Sequence, residues 1–166
     1  MSTLQKMTYG HYILTALKPA NELESRERDY IAAGVVNWAS QISFEPTLVM
    51  IAVKKDSDLN ETINYSEHFT LHYLAKDQAD MIAKFSGKSE ISEGKINGLS
   101  FTKQDDEAIL ADLPGYATFK VERFENIGDH SIYYGSLVKE EHKDGAPVLN
   151  TEDTPVQYNQ QIMEEA

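Results

Sequence analysis

Between Gly34 and Val53 the chain reads GVVNWASQISFEPTLVMIAV, and this segment limits the fold more than any other. A run of small and polar residues, Asn37 to Ser43, leads through Glu45-Pro46 into an unbroken apolar run, Leu48 to Val53. That run is too short for a helix and is closed off by the polar turn Lys54-Lys55-Asp56-Ser57. It reads as a strand apolar on both faces, hence a central strand of a sheet. The other apolar runs are equally short. Strands are expected near Gly10–Ala16, Ile31–Ser43 (broken), Leu48–Val53, Phe69–Tyr73, Tyr116–Phe124 and His130–Glu140. Near 116 the alternation is clean, with Ala117, Phe119 and Val121 on one face and Thr118, Lys120 and Glu122 on the other. Short strands parted by turns favour a barrel or sandwich over an α/β sheet.

Two helices interrupt this pattern. One is expected to start near Asp58, with Glu61 three residues on as in a capping box. The second spans Asp77–Ser86, with Ala79, Ile82, Ala83 and Phe85 inward and Gly87 as its stop. Lys88–Asn97 is polar and glycine-dotted and reads as a loop. No repeat or linker divides the 166 residues, so a single domain is expected.

Charge and cysteine content remove whole classes of function. A net charge of −12 argues against nucleic acid and anionic membranes as partners. With no Cys, disulfides, thiolate catalysis and Cys-ligated iron are excluded, and any redox role needs a bound organic cofactor or a site of His and carboxylates. The start, MSTLQKMTYGHYIL, carries no signal-peptide pattern, and no apolar run approaches the ~20 residues of a membrane span. A cytoplasmic location is expected. The triplets Asn60-Glu61-Thr62 and Asn64-Tyr65-Ser66 are then accidental as glycosylation signals.

Several other patterns yield no site. Asp129-His130-Ser131 is no hydrolytic triad, because consecutive strand residues point to opposite faces. Gly87-Lys88-Ser89 is no nucleotide-binding loop, since Ile82 stands where the first glycine belongs. His68 and His72 are four apart, but strand Phe69–Tyr73 begins between them, so helical metal-binding geometry does not apply and no metal site is expected. His11 and His142 read as surface residues. No G-x-G-x-x-G is present, so no Rossmann site is expected.

The order W-x-S-Q-x-S-F-x-P (Trp38 to Pro46), apolar strand, basic turn into a helix, Phe85-Ser86-Gly87-Lys88, and Ile127-Gly128-Asp129-His130 before a long aromatic strand resembles the flavin reductase-like family. The resemblance spans roughly Tyr9 to Val138. It implies a mainly β, Greek-key split β-barrel (the FMN-binding split barrel) with a few short helices. It places the flavin-binding domain at 1–145 and a C-terminal tail at 146–166. It also implies FMN, with FAD as an alternative, and hydride supplied by NAD(P)H as substrate. Electrons would pass to free flavin or a redox protein. A homodimer is implied, with Tyr133-Tyr134 and the tail as contact.

Physical chemistry says what the matching residues must do. A phosphate dianion needs N–H donors, hydroxyls or cations, and a turn entering a helix supplies aligned N–H groups. Lys54, Lys55 and Ser57 occupy such a turn. Taken alone they read as solvated surface; the resemblance assigns them the phosphate. The family often shows S/N-x-T here, and Leu59 replaces the threonine. Asn37, Trp38, Ala39, Ser40 and Gln41 match the segment lining the isoalloxazine slot. Without the resemblance they read as an ordinary strand with Trp38 as core. The resemblance brings Lys88 near flavin or phosphate and His130 near flavin and nicotinamide, as the one catalytic candidate. An imidazole there can hydrogen-bond an anionic ring or orient a substrate. The competing reading of His130 is a turn residue bonded locally. A nicotinamide would dock in a cleft over the flavin.

The family's reductases often end in P-L-x-Y followed by an arginine-containing segment, where this chain has Pro147-Val148-Leu149-Asn150. That difference keeps a second reading open: an FMN-binding electron carrier, similar to flavoredoxin, with no NAD(P)H turnover. A cofactor-free barrel used for binding is the third.

Overall fold

The computed structural model describes residues 2–142 and Leu149. In chain order it has β1 (Tyr12–Lys18), β2 (Tyr30–Val36), β3 (Ala39–Ser43), β4 (Leu48–Lys54), α1 (Asp58–Ser66), β5 (His68–Tyr73), α2 (Asp80–Phe85), β6 (Ile91–Ser92), β7 (Lys95–Ile96), β8 (Leu99–Gln104), β9 (Glu107–Leu110), β10 (Gly115–Glu125) and β11 (His130–His142). Seven strands form one antiparallel sheet in the order β2-β1-β5-β10-β11-β4-β3, and β6 to β9 form a small meander. The two free edges of the large sheet, β2 and β3, are consecutive in the chain. They do not pair. Instead Asn37 and Trp38 carry the chain across, and the Trp38 carbonyl accepts the Ala52 N–H at 2.9 Å. The result is a split barrel, as expected.

The barrel interior is apolar and tight. Leu14, Ile51, Phe69, Phe119 and Tyr133 are buried in one cluster, and the Phe69 and Phe119 rings stack at 5.3 Å. A Cβ on Gly135 would lie 2.8 Å from both the Phe119 Cβ and a Phe69 ring carbon, so only glycine fits there. A second apolar cluster lies outside the barrel, where α2 and the meander cover β1 and β5; it contains Ile13, Leu17, Leu74, Ile82, Phe85 and Ile96.

This outer layer decides which strands are buried on both faces. They are β1, with five consecutive buried residues, and β5, not Leu48–Val53. β4 lies next to the edge strand β3, and only Ile51 and Val53 are buried on it among the described residues. The expected loop 88–97 is a short hairpin, β6–β7, turning at Glu93 and Gly94 with φ of 53° and 75°. β8 and β9 were not expected. They turn at Asp105-Asp106, again with positive φ, and expose most of β8.

The helices also differ in detail. Ser57, not Asp58, caps α1, which puts Asn60 rather than Glu61 at the third helical position. The second helix is only Asp80–Phe85, preceded by a separate tight turn, and Ala83 faces solvent. His11 is buried, at 1% exposure, and not a surface residue. Tyr133 is buried too, at 1% exposure, so it is no contact surface for a second copy. Of the expected tail 146–166, only Leu149 is within the described residues; it is buried, and its N–H donates to the Leu74 carbonyl at 2.8 Å.

Between the large sheet and the meander lies a belt of buried polar groups. The Thr70 hydroxyl donates to Glu107 Oε2 at 2.9 Å and lies 3.0 Å from the Thr118 hydroxyl. His72 sits 3.0 Å from the Ile13 carbonyl through Nδ1, and its Nε2 accepts the Leu110 N–H at 3.0 Å. Both ring nitrogens are thereby committed to backbone.

Candidate functional site

Where the barrel splits, a cleft of about 480 Å³ opens. One wall is the free edge of β2, Ala33 to Val36, continuing to Asn37. The opposite wall is the end of β4 and the turn into α1, with Lys54, Asp56, Ser57, Asp58 and Leu59. Phe85 to Ser89 close one side, and His130 contributes from the start of β11.

Each wall has an identifiable anchor. A free strand edge leaves N–H and C=O groups unpaired. Ser89 satisfies both at Ala33: its hydroxyl accepts the Ala33 N–H at 2.9 Å and lies 3.1 Å from the Ala33 carbonyl. With Phe85 buried at one end and Ser89 bound at the other, Lys88 is held at the cleft rim.

The α1 turn is fixed by its cap. Ser57 Oγ accepts the Asn60 N–H at 3.1 Å and donates to the Lys54 carbonyl at 2.7 Å. The hydroxyl proton is therefore used inside the turn. Helix geometry leaves the N–H groups of the first turn, at Asp58 and Leu59, without intrahelical acceptors. Lys55 donates its backbone N–H to the Asp129 carbonyl at 3.0 Å and ties this turn to the one before β11. In the β4–β11 ladder His130 is paired directly with Lys54.

His130 is held from two sides. Nδ1 lies 2.8 Å from Asp129 Oδ1, and its ring lies against Trp38 with centroids 4.9 Å apart at 52°. The hydrogen bond and charge of His130 pull the exposed Asp129 carboxyl below the usual carboxylate range.

Behind the cleft, Asn60 ties α1 to the sheet. Its side-chain amide donates to Ser131 Oγ at 2.8 Å and lies 3.3 Å from the Val53 carbonyl. Its Oδ1 accepts from Asn64 at 3.0 Å and lies 3.0 Å from the Tyr133 hydroxyl. Ser131 also bonds Asn126, in the loop before β11. Asn60 is 4% exposed, which removes it as a glycosylation acceptor.

Five of the expected site residues line the cleft: Asn37, Lys54, Ser57, Lys88 and His130. Trp38 joins them through His130. Lys55 belongs to the same turn but is not on the cleft wall. Ala39, Ser40 and Gln41 lie elsewhere. They border a separate hollow of about 250 Å³ at the barrel mouth, with Tyr12, Val49 and Leu137. The reason is strand direction: β3 runs antiparallel to β4, so Gln41 is paired with Val49 while the cleft is at Lys54. Gln41 is thus five strand residues from Lys54, about 17 Å, whereas Ala39, paired with Ile51, is one position from Ala52 on the cleft wall. Residues not anticipated are Ser89, the Ala33–Val36 edge, the carboxylates Asp56 and Asp58, and the Asn60–Ser131–Tyr133 network. Only Asp56 and Asp58 had a visible signal, being part of the basic turn itself.

The cleft pairs cations and helix N–H groups at one end with an imidazole and an indole beside them. That combination suits an anionic, aromatic ligand. Among the described residues no cluster of three His, Asp or Glu is arranged to hold a metal. A family model described as the flavin reductase like domain matches residues 4–159. The chain belongs to that family. It is 27% identical over 154 residues to the FMN reductase (NADH) SmoA of Agrobacterium fabrum, covering 89% of this chain and 78% of that protein. It is 26% identical over 162 residues to the high molecular weight rubredoxin of Moorella thermoacetica, covering 96% of this chain and 65% of the relative. Thus it spans most of the first relative and less than two thirds of the second. Among solved structures, the NADH:FAD oxidoreductase SgcE6 of Streptomyces globisporus superposes with a TM-score of 0.72 at 15% identity, covering 89% of this chain and 83% of that one. The styrene monooxygenase flavin reductase of Pseudomonas putida S12 gives 0.71 at 20%, covering 89% and 88%. These structures share the family fold.

Proposed function

We propose that this flavin reductase-like chain binds FMN or FAD in the cleft at the barrel split and reduces it with NADH or NADPH, passing electrons on to free flavin or a redox protein. The observation that carries the reading is the meeting of Lys54, Lys88, the first turn of α1 and the Trp38–His130 pair in one cleft. A volume of about 480 Å³ falls within the ~300–1,000 Å³ of ligand pockets. The residues fit a flavin. Lys54, Lys88 and the α1 N–H groups would hold the phosphate. Asn37 and the free edge of β2 supply donors and acceptors to the ring. Ser57 acts as the cap that shapes the turn, and Lys55 adds charge nearby. Flavin, when bound, supplies the hydride and electron transfer. The protein's part is orientation: with Nδ1 turned to Asp129, His130 keeps Nε2 for the ligand and is held in place by Trp38. Ala39, Ser40 and Gln41, at the other hollow, shape the split and do not touch flavin in this reading. The SmoA relative, whose name specifies FMN and NADH, supports the same chemistry.

Anaerobic mixing of the flavin-loaded protein with NADH and with NADPH tests the proposal. Loss of the visible flavin absorbance within the mixing time supports a reductase. No loss with either nucleotide identifies a carrier. A protein that takes up no flavin rejects both. We further propose a homodimer; a monomer at micromolar concentration on size-exclusion chromatography refutes it.

A further inference from the structure

The turn that faces the cleft carries carboxylates as well as lysines. Asp56 Oδ1 lies 3.9 Å from Lys54 Nζ, and both side chains are largely exposed. Asp58, the first residue of α1, also lines the cleft, and burial, followed by interaction with Asp58, raises the Tyr30 pKa. Counting the charged groups on the wall, Lys54 and Lys88 are matched one for one by Asp56 and Asp58. The hydroxyl that would help is used elsewhere, since Ser57 donates to the Lys54 carbonyl. At the next helical position Leu59 offers none, and it is buried.

From this balance we infer that Asp56 weakens the grip on the flavin phosphate. The inference rests on the flavin site proposed above. Asp56 acts in two ways: it competes for Lys54, and it repels a dianion at the same mouth. A surface aspartate of no consequence is the competing account. What separates them is the phosphate itself, because a carboxylate acting through charge must affect FMN and leave riboflavin, which lacks the phosphate, alone.

The test is titration of the full chain with FMN and with riboflavin, read by flavin fluorescence. In the unaltered protein FMN should bind less than about tenfold tighter than riboflavin, because the cationic and anionic groups offset each other. Asp56→Asn should tighten FMN by about five- to tenfold and leave riboflavin unchanged. Asp56→Glu, which keeps the charge, should resemble the unaltered protein, and the Asn gain should shrink at high salt. Asp56 is exposed, so these variants should fold. If both flavins bind and Asp56→Asn leaves their ratio unchanged, the inference is wrong and the flavin site stands. If neither flavin binds, the site assignment fails and the inference goes with it.

Discussion

Two polar networks, one partly and one fully buried, brace this fold on opposite sides of the large sheet, and proton uptake affects them differently. Behind the cleft, Asn60, Asn64, Ser131 and Tyr133 are joined by amide and hydroxyl hydrogen bonds. No member is a carboxylate or an imidazole, so the geometry that places α1 against β11 does not change across ordinary pH. Under the meander, Glu107 and His72 are both titratable and both buried. Burial raises Glu107 to about 7, with Thr70 and Lys139 pulling the other way and Asp106 adding to the rise. Burial lowers His72 to about 4. The contrast teaches that α1 is braced behind the cleft by neutral groups, while Glu107 and His72, buried and titratable, sit in a layer away from it.

The largest test of this contrast is Asn60→Leu. It takes the Asn60 amide from the Val53 carbonyl and removes one hydrogen bond each from Ser131 and Tyr133, which keep Asn126 and Asn64, and should cost about 3 kcal/mol. Thermal unfolding should then begin roughly 10 °C lower at any pH from 5 to 8, on the usual scaling for a chain this size. A drop confined to one end of that range would break the comparison. Flavin affinity should fall as well, since α1 and its N–H groups lose their tie to the sheet.

Glu107→Gln comes next. A carboxyl whose folded pKa lies above its unfolded value stabilises most below the unfolded pKa, about 4.5, and that contribution disappears as pH rises through about 7. The amide copies the protonated acid. The variant should therefore match the native protein near pH 4 and exceed it by about 2–3 kcal/mol at pH 8. His72 has the opposite sign: its contribution is complete above the unfolded value, 6.5, and is lost as pH falls toward about 4. In the native protein the two slopes partly cancel between about 4.5 and 6.5. In Glu107→Gln the acid sensitivity of His72, with that of buried His11, whose pKa burial also lowers, should appear unopposed by Glu107, as stability falling steadily below pH 6.5 in chemical denaturation. A native-like flat profile would show that Glu107 does not titrate there.

Tyr133→Phe removes one hydroxyl from the neutral network and should cost about 1–2 kcal/mol without altering the pH profile. Ser57→Ala removes the α1 cap, at about 1 kcal/mol, and should also loosen flavin, because the Lys54 carbonyl and Asn60 N–H lose their shared partner. Equal flavin affinity in Ser57→Ala would separate the cap from the binding surface.

Much of the barrel was legible in the residues. The strands at 12–18, 68–73, 115–125 and 130–142 declare themselves by aromatic and β-branched runs, and the break between Val36 and Ala39 shows as Asn37. The meander was not legible. Its strands are two to six residues long, and β8 is mostly solvent-exposed, so neither length nor apolar alternation marks them. The burial of His11 was equally invisible, since no local pattern marks it. At the site, the lysine turn and His130 are visible because charge and motif order are local. Ser89 and Asn60 are not, since their partners, Ala33 and Ser131, are 56 and 71 residues away. The position of Ala39, Ser40 and Gln41 beside the second hollow was equally illegible, because their register against β4 is a property of the pairing.

Ser89 has a consequence beyond holding Lys88. By occupying the Ala33 amide and carbonyl it blocks the outermost ribbon of the large sheet from recruiting a neighbour's backbone. The contact that equips the cleft thus also caps that flank at Ala33. A chain lacking that hydroxyl would carry a sticky flank, and self-association, more than any loss of catalysis, would be its first symptom.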